Sequence, residues 1–123
     1  MHKHGGIIFY QTTQLEELHN FYISKVGAKL WLDQGGCRIY QFGNMLFGFC
    51  QRDKIEKGAL LTFFYPSRDL VDEMYRRIKK SADSAPKDNE TYRIYHFYAK
   101  DPDGRSIEFQ FFWDNIEQEI SKL

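Results

Sequence analysis

The sequence has little of what would connect it to a membrane, to nucleic acid or to an oxidising compartment. Two of its 123 residues are cysteine, and 17 Lys and Arg residues balance 17 Asp and Glu residues, so the formal net charge is zero. A protein that binds a phosphate backbone needs an excess of positive charge. A helix that crosses a membrane needs about 18 consecutive apolar residues, and we find no such run. We therefore expect neither a nucleic-acid partner nor a membrane partner.

The two cysteines, Cys37 and Cys50, are too few for a framework of several disulfides. Residues 1–6 lack the long apolar run of a secretory signal. We therefore expect a cytoplasmic protein in which both thiols are free, and we interpret Cys50 as a small core residue.

Aromatic residues are abundant: they make up 17% of the sequence, with 11 Phe and 8 Tyr. Aromatic side chains favour strands and supply large apolar areas. They are typical both of a β-rich core and of an aromatic-lined pocket, and the sequence is compatible with either. A length of 123 residues suits a single domain, residues 1–123.

The first half, residues 5–51, has a pattern of one strand, one helix and three strands. Residues 6–11 form a predicted strand, and Thr13 with Glu16 has the spacing of a capping box at the start of a helix that Gly27 ends. Short predicted strands follow at residues 29–33, 37–42 and 45–51. Gly35-Gly36 and Gly43-Asn44 separate these strands and favour tight hairpin turns.

The second half, residues 59–113, repeats this order after a charged linker at residues 52–58. A strand at residues 59–65 precedes a helix that Ser67 caps, and residues 81–91 form a loop or at best a short edge strand. Strands at residues 92–100 and 105–112 are joined by the turn sequence Asp101-Pro102-Asp103-Gly104. Residues 114–123 form a short predicted terminal helix with Asp114 as its cap.

Two segments of the sequence resemble the vicinal-oxygen-chelate superfamily, which includes glyoxalases, bleomycin resistance proteins and extradiol dioxygenases. The segment Phe97-Tyr-Ala-Lys-Asp-Pro-Asp-Gly-Arg-Ser-Ile-Glu-Phe is similar to the end of the superfamily's second half-repeat, and Asn20-Phe-Tyr with Val26-Gly-Ala is similar to its first helix. The resemblance implies an α+β fold in which two βαβββ half-repeats form a curved mixed sheet around a cleft. It also implies a homodimer, and the sequence leaves open whether the half-repeats pair within one chain or between two.

Metal-binding members of this superfamily hold a divalent ion with four side chains, mostly His and Glu, from the first and last strand of each half. Glu108 matches one of these positions. Aligning the final hairpins turn to turn places Gly48 at the second position, and the other two fall near Ile7 and near Leu61 or Thr62. One carboxylate does not hold a catalytic metal ion, so the sequence predicts no metal and no cofactor.

Glu108 and His96 are the candidate catalytic residues. An inward-facing Glu108 among aromatic rings could act as a general base or bind a ligand cation, and His96 lies on the neighbouring strand, where a His–Glu pair could transfer protons. Strand alternation places Gln110 and Phe112 on the same side as Glu108. Together with Phe9, these residues form the predicted ligand-binding set: Phe9, Glu108, Gln110 and Phe112. A slipped first strand could bring His4 of the His2-x-His4 pair toward a ligand position, and His19 is interpreted as a boundary residue of the first helix.

We therefore expect a protein that binds a small aromatic or amphipathic molecule in an aromatic cleft. One alternative is an enzyme, either a glyoxalase-type lyase or isomerase with atypical metal ligands, or a metal-free acid–base catalyst that uses Glu108 and His96. The other alternative is a domain with a collapsed cleft that acts through protein partners.

Overall fold

A computed structural model describes residues 4–123, which form two compact units, residues 4–57 and Gly58–Leu123. Each unit contains a four-stranded mixed sheet with the element order βαβββ. This confirms the α+β fold and the two half-repeats. That the two units make up one domain stays a prediction. No helix in the described part of the chain is long and apolar enough to cross a membrane.

Unit 1 has the strand order β1-β4-β3-β2, in which β1 runs parallel to β4 and the other pairs are antiparallel. A π-helical turn, Phe21–Val26, continues its helix. Its elements are β1 (Ile8–Thr12), α1 (Leu15–Asn20), β2 (Lys29–Asp33), β3 (Cys37–Phe42) and β4 (Met45–Gln51).

Helix α1 begins at Leu15 without a side-chain cap, so the predicted capping box is wrong. Glu16 forms an ion pair with Arg38 on β3 instead, and the amide of Leu15 donates to Oε1 of Gln51 at 2.9 Å. A tertiary partner therefore satisfies the helix start. The helix ends at Gly27 as expected, because its φ of 86° suits glycine.

The core of unit 1 is aromatic. Tyr22 from the helical segment packs on the sheet, with ring centroids 5.3 Å from Phe47 and 5.2 Å from Phe49. Tyr40 lies beside both phenylalanines, and its hydroxyl is 2.9 Å from Nδ1 of His19. Trp31 on β2 is half-exposed.

Cys37 and Cys50 form a disulfide, so the expectation of two free thiols is wrong. The two residues face each other across the β3–β4 hairpin, with their Cα atoms 4.0 Å apart. The hairpin register determines this pairing, because the turn at Gly43-Asn44 pairs Phe42 with Met45 and, five steps further along, Cys37 with Cys50.

Unit 2 has the strand order β5-β8-β7-β6, with β5 parallel to β8. One 3₁₀ turn, Lys79–Ser81, follows its long helix. Its elements are β5 (Leu61–Phe64), α2 (Arg68–Ile78), β6 (Lys87–Asn89), β7 (Ile94–Lys100), β8 (Ser106–Phe112) and α3 (Glu117–Ser121).

Helix α2 covers one face of this sheet. Its amide at Leu70 donates to Oγ of Ser67, which confirms the predicted cap. Its apolar stripe, Val71, Met74 and Ile78, is buried. The alternating strand residues on the helix side are also buried: Leu61, Phe63, Phe97, Ala99, Ile107 and Phe109.

The turn between β7 and β8 is held by buried charges. The Arg105 guanidinium is fully buried, and it donates to Asp101 at 2.5 Å and to Asp103 at 3.4 Å. Asp101 also accepts from the amides of Asp103 and Arg105. These bonds fix the start of β8, the strand that carries Glu108.

The terminal helix is shorter than expected, and Asp114 does not cap it. Asp114 accepts two hydrogen bonds of 2.9 Å from the guanidinium of Arg93. Asn115 accepts from the amide of Glu117 in its place. The ion pair with Arg93 fastens the end of β8 to the start of β7.

Candidate ligand-binding and acid–base site

The strand order of unit 2 aligns polar residues from three strands on the sheet face opposite α2. Glu108 on the central strand β8 lies directly across from Thr62 on β5 and from Tyr98 on β7. The next row along β8 brings Gln110 beside Phe64 and His96. We call this set the site face, consisting of Thr62, Phe64, His96, Tyr98, Glu108 and Gln110.

Both carboxylate oxygens of Glu108 have partners within the site face. Oε1 accepts from Oγ1 of Thr62 at 2.8 Å, and Oε2 is 2.7 Å from Nδ1 of His96. The side chains of His96 and Glu108 are only 5% and 8% exposed. A carboxylate buried to this extent needs hydrogen-bond donors, and Thr62 and His96 provide them.

The 2.7 Å contact with Glu108 restricts which His96 nitrogen carries the hydrogen atom. With Glu108 as a carboxylate, which only accepts, Nδ1 donates to it, and Nε2 is then the acceptor of a neutral imidazole. Nε2 makes no hydrogen bond to another residue among residues 4–123. The arrangement orients His96 so that Nε2 can accept a proton from a bound molecule while Glu108 stabilises the imidazolium that results.

Tyr98 covers one side of the His–Glu pair. Its ring meets the His96 ring edge to face, with centroids 5.2 Å apart, and the residue is 40% exposed. Burial and then the negative charge of Glu108 raise the pKa of Tyr98. The phenol therefore stays protonated and keeps a hydroxyl donor beside an exposed aromatic surface.

Gln110 and Phe112 continue along β8 from Glu108. Gln110 is 9% exposed and lies opposite His96 in the register. Phe112 is partly exposed and packs edge to face against Phe64, with centroids 5.7 Å apart. The two rings form an apolar end to a face that is polar at its centre.

The corresponding face of unit 1 has different chemistry. In the parallel pair of that unit, Phe9 lies opposite Gly48, just as Thr62 lies opposite Glu108. A Cβ atom on Gly48 would lie 2.7 Å from Cε1 of Phe9 and 3.0 Å from the backbone oxygen of Arg38. The ring of Phe9 thus occupies the space that a side chain at position 48 would need.

In unit 1, the disulfide lies at the position that two residues of the site face occupy in unit 2. Cys50 lies two residues after Gly48 and pairs with Cys37, just as Gln110 follows Glu108 and pairs with His96. At these equivalent positions, unit 2 has the His96–Glu108 pair, while unit 1 has a phenyl ring and a cross-link.

The superfamily's metal ion does not fit the residues present. Gly48 has no donor atom, Phe9 stands opposite it, and the hydroxyl of Thr62 is used on Glu108. Among residues 4–123, no three His, Cys, Asp or Glu side chains are grouped closely enough to hold a metal ion.

The residues singled out in the sequence fall in different places. Glu108, His96 and Gln110 come together in unit 2, with Phe112 at the end of the same strand, whereas Phe9 is 44% exposed in unit 1. His4 is exposed, and His2 lies outside the described residues. Their catalytic and ligand-binding roles stay predictions.

Sequence reasoning missed three members of the site face, Thr62, Phe64 and Tyr98. Thr62 was considered only as a metal ligand and not as a hydrogen-bond donor. The signal for Tyr98 was strand alternation combined with the register of the β7–β8 hairpin, which places Tyr98 opposite Glu108 once the turn at residues 101–104 is accepted.

No family model and no curated protein matches the sequence, but solved structures do match the fold. A glyoxalase/bleomycin resistance protein/dioxygenase from Nocardioides is 15% identical, with a TM-score of 0.71 over 94% of this chain and 87% of that one. A glyoxalase/bleomycin resistance protein/dioxygenase family enzyme from Burkholderia phytofirmans PsJN is 16% identical, with a TM-score of 0.74 over 85% of this chain and 95% of that one.

A lactoylglutathione lyase from Agrobacterium tumefaciens is similar at 16% identity, with a TM-score of 0.69 over 85% of this chain and 90% of that one. The chain therefore has the fold of the glyoxalase/bleomycin resistance/dioxygenase proteins, which confirms the fold that the sequence resemblance implied. At sequence identities of 15% and 16%, the similarity to these structures shows a shared fold alone.

Proposed function

We propose that the chain binds a small aromatic or amphipathic molecule on the site face of unit 2 without the help of a metal ion. One observation carries the proposal: both oxygens of Glu108 are engaged by Thr62 and His96. A carboxylate whose two oxygens are both engaged by neighbouring side chains orients those groups and does not need a bound cation. We also propose that the chain is a single domain and that the protein is cytoplasmic, as the sequence predicts.

The aromatic residues of the face would supply most of the affinity. Tyr98 offers an exposed ring, and Phe64 with Phe112 offers a second, partly exposed apolar surface. Stacking on such rings favours planar or amphipathic ligands. Gln110 and Nε2 of His96 would fix the orientation of a polar substituent on the ligand.

Calorimetric titration with a panel of aromatic and amphipathic compounds, run with EDTA and again with added Zn²⁺, tests this proposal. We expect a compound that binds equally well under both conditions and about fivefold more weakly to Tyr98→Ala, since one stacking contact contributes about 1 kcal/mol. Tyr92→Ala is the matched control, because Tyr92 is a 74% exposed tyrosine outside the site face. Binding that requires the metal, or no binding at all, would overturn the proposal.

Acid–base catalysis is the second candidate function, and the 2.7 Å contact between His96 and Glu108 favours it. In this reaction Nε2 of His96 accepts a proton from a C–H or O–H group of the bound molecule and later returns it. Glu108 remains ionised and stabilises the imidazolium. A positioned base of this kind contributes about 10²–10⁴-fold to a rate.

The variants Glu108→Gln and His96→Gln separate binding from catalysis. If the chain is a catalyst, Glu108→Gln should keep its ligand affinity, and both variants should lose about 10²–10⁴-fold in turnover. If the chain only binds, ligand is recovered unchanged from the wild type and from both variants. A metal-dependent lyase or isomerase activity would instead appear only after a metal ion is added.

A further inference from the structure

Strand β6 places a positive charge beside the site face. Lys87, the first residue of β6, lies directly opposite His96 on β7. Residues that face each other across an antiparallel pair have their side chains on the same side of the sheet. Lys87 therefore extends the row formed by Gln110 and His96 to the outer strand of the unit 2 sheet.

The contacts of Asp88 fix the orientation of β6. Asp88 accepts hydrogen bonds from Nη1 of Arg68 at 2.7 Å and from Nε1 of Trp113 at 2.9 Å. Arg68 is the first residue of α2, so the side chain of Asp88 points to the helix side of the sheet. Because successive side chains of a strand point to opposite sides, Lys87 points to the side of the site face.

The charge of Lys87 is not used within the described part of the chain. Lys87 is exposed, and its side chain makes no ion pair and no hydrogen bond with another residue among residues 4–123. Lys100 lies on the same side of the sheet, two residues after Tyr98, but its Nζ is 2.9 Å from Oδ2 of Asp83. Lys87 is therefore the lysine of this side whose charge is available to a bound molecule.

Two nearly buried polar groups beside Lys87 are also available. His96 and Gln110 are 4% and 9% exposed, yet Nε2 of His96 and the carboxamide of Gln110 make no hydrogen bond to another residue in positions 4–123. Buried polar groups normally have hydrogen-bond partners. The row thus presents a bound molecule with an amide, an acceptor nitrogen and, at the sheet edge, a cation.

We propose that the molecule bound on the site face is an aromatic carboxylate, and that Lys87 binds its negative group. The inference rests on the proposed binding function and specifies the class of ligand. The aromatic ring stacks on Tyr98, and an N–H or O–H group of the ligand donates to Nε2 of His96. The carboxylate lies at β6, two strands away from β8 and from the negative charge of Glu108.

A matched set of compounds tests the charge of the ligand. Indole acetate is an anion, indole acetamide is neutral and tryptamine is a cation, and the naphthyl counterparts lack the ring N–H. In calorimetric titrations of the wild type, we expect each carboxylate to bind about fivefold more tightly than its amide, as one exposed charge pair allows. Tryptamine should bind most weakly, and the preference for the carboxylate should decrease as salt is added.

Variants of Lys87 test the residue itself. Lys87→Gln should bind the carboxylate and the amide equally well, with the affinity for the amide unchanged, and Lys87→Glu should prefer tryptamine to the carboxylate. Lys80→Gln makes the same change at an exposed lysine outside the sheet and should keep the wild-type preference. Tyr98→Ala should weaken the carboxylate and the amide alike, because it removes the stacking surface. Circular dichroism checks that each variant is folded.

The outcomes separate this inference from the proposed function. A wild type that binds the amides or tryptamine as tightly as the carboxylates would overturn the inference and leave ligand binding on the site face intact. The same holds if Lys87→Gln retains the preference for the carboxylate. If none of these compounds binds, the proposed function is overturned together with the inference that rests on it.

Discussion

At the scale of single residues, Gly48 and Glu108 show how a repeated position has diverged. Both lie on the last strand of their unit and opposite the first strand. The turn-to-turn alignment of the sequence found this equivalence, because hairpin length fixes which residues face each other. It did not reveal that Phe9 occupies the space above Gly48, since a ring's position depends on tertiary packing.

Replacing Gly48 with alanine tests this close approach. We expect Gly48→Ala to lower the free energy of unfolding by about 1–3 kcal/mol, because the new methyl group meets Phe9 and the backbone oxygen of Arg38. In a Phe9→Ala background the loss should be smaller, since one of the two clashes is gone. A double-mutant cycle by urea denaturation measures the coupling, and equal losses in the two backgrounds would contradict the predicted contact.

The buried Arg105 supports a second prediction at this scale. Arg105→Met leaves Asp101 and Asp103 buried without their cation, and we expect a loss of about 3–5 kcal/mol in the free energy of unfolding. The matched control is Lys100→Met, because the pair of Lys100 with Asp83 is nearly half-exposed and should contribute about 0–1 kcal/mol. Similar losses in the two variants would show that the buried ion pairs of Arg105 are not what stabilises the turn.

At the scale of elements, the β3–β4 hairpin was predicted correctly from the sequence, but its register was not used to predict the disulfide. The strands and the turn at Gly43-Asn44 were predicted with the observed bounds, and those bounds place Cys37 opposite Cys50. The expectation of free thiols came from a compartment argument and not from this register. The cytoplasmic location depends on the same argument and stays a prediction.

Reduction of this disulfide should destabilise unit 1. A cross-link over a short loop stabilises a protein by about 3 kcal/mol, so we expect a dithiol reductant to lower the free energy of unfolding of the wild type by about that amount. The double variant Cys37→Ser/Cys50→Ser should resemble the reduced wild type and show no response to reductant. Thiols that react with an alkylating reagent in the folded, untreated protein would contradict the cross-link.

Helix ends were the least predictable features at this scale. Thr13, Glu16 and Asp114 all have the residue types that favour caps, yet Glu16 and Asp114 bind arginines on strands or beside them instead. A tertiary ion pair competes with a local cap for the same carboxylate, and spacing along the sequence does not reveal that partner. Ser67 kept its predicted role.

At the scale of the whole molecule, two tyrosines should make stability depend on pH in alkaline solution. Burial raises the pKa of Tyr40 to about 12, and burial together with the hydrogen bond to Asp72 raises that of Tyr95 to about 12, against an ordinary value of 10.0. Because the folded pKa is the higher one, the stabilisation is complete below about pH 10 and is lost as the pH rises toward about 12.

Urea denaturation at a series of alkaline pH values measures this dependence. We expect Tyr40→Phe/Tyr95→Phe to reduce the slope of stability against pH, even though the variant is less stable near neutrality because it lacks two hydroxyl contacts. Tyr92→Phe changes an exposed tyrosine and should retain the wild-type slope. An unchanged slope in the double variant would show that other groups control alkaline unfolding.

The order of elements could be predicted over nearly the whole chain, because hydrophobic alternation, turn residues and the repeated βαβββ pattern agree with one another. The chemistry of the site was only partly predictable. Glu108 was identified by its motif, whereas its bonds to Thr62 and His96 depend on strand register and on side-chain rotamers. Those features arise only when three strands come together.

The account depends most on the claim that Thr62 and His96, and not a metal ion, are the partners of the two carboxylate oxygens of Glu108. Calorimetric titration of tag-free protein with Zn²⁺, Ni²⁺, Mn²⁺ and Fe²⁺ tests this claim most directly. We expect no stoichiometric binding that distinguishes the wild type from Glu108→Gln. One ion bound per chain in the wild type, and lost in Glu108→Gln, would contradict the account.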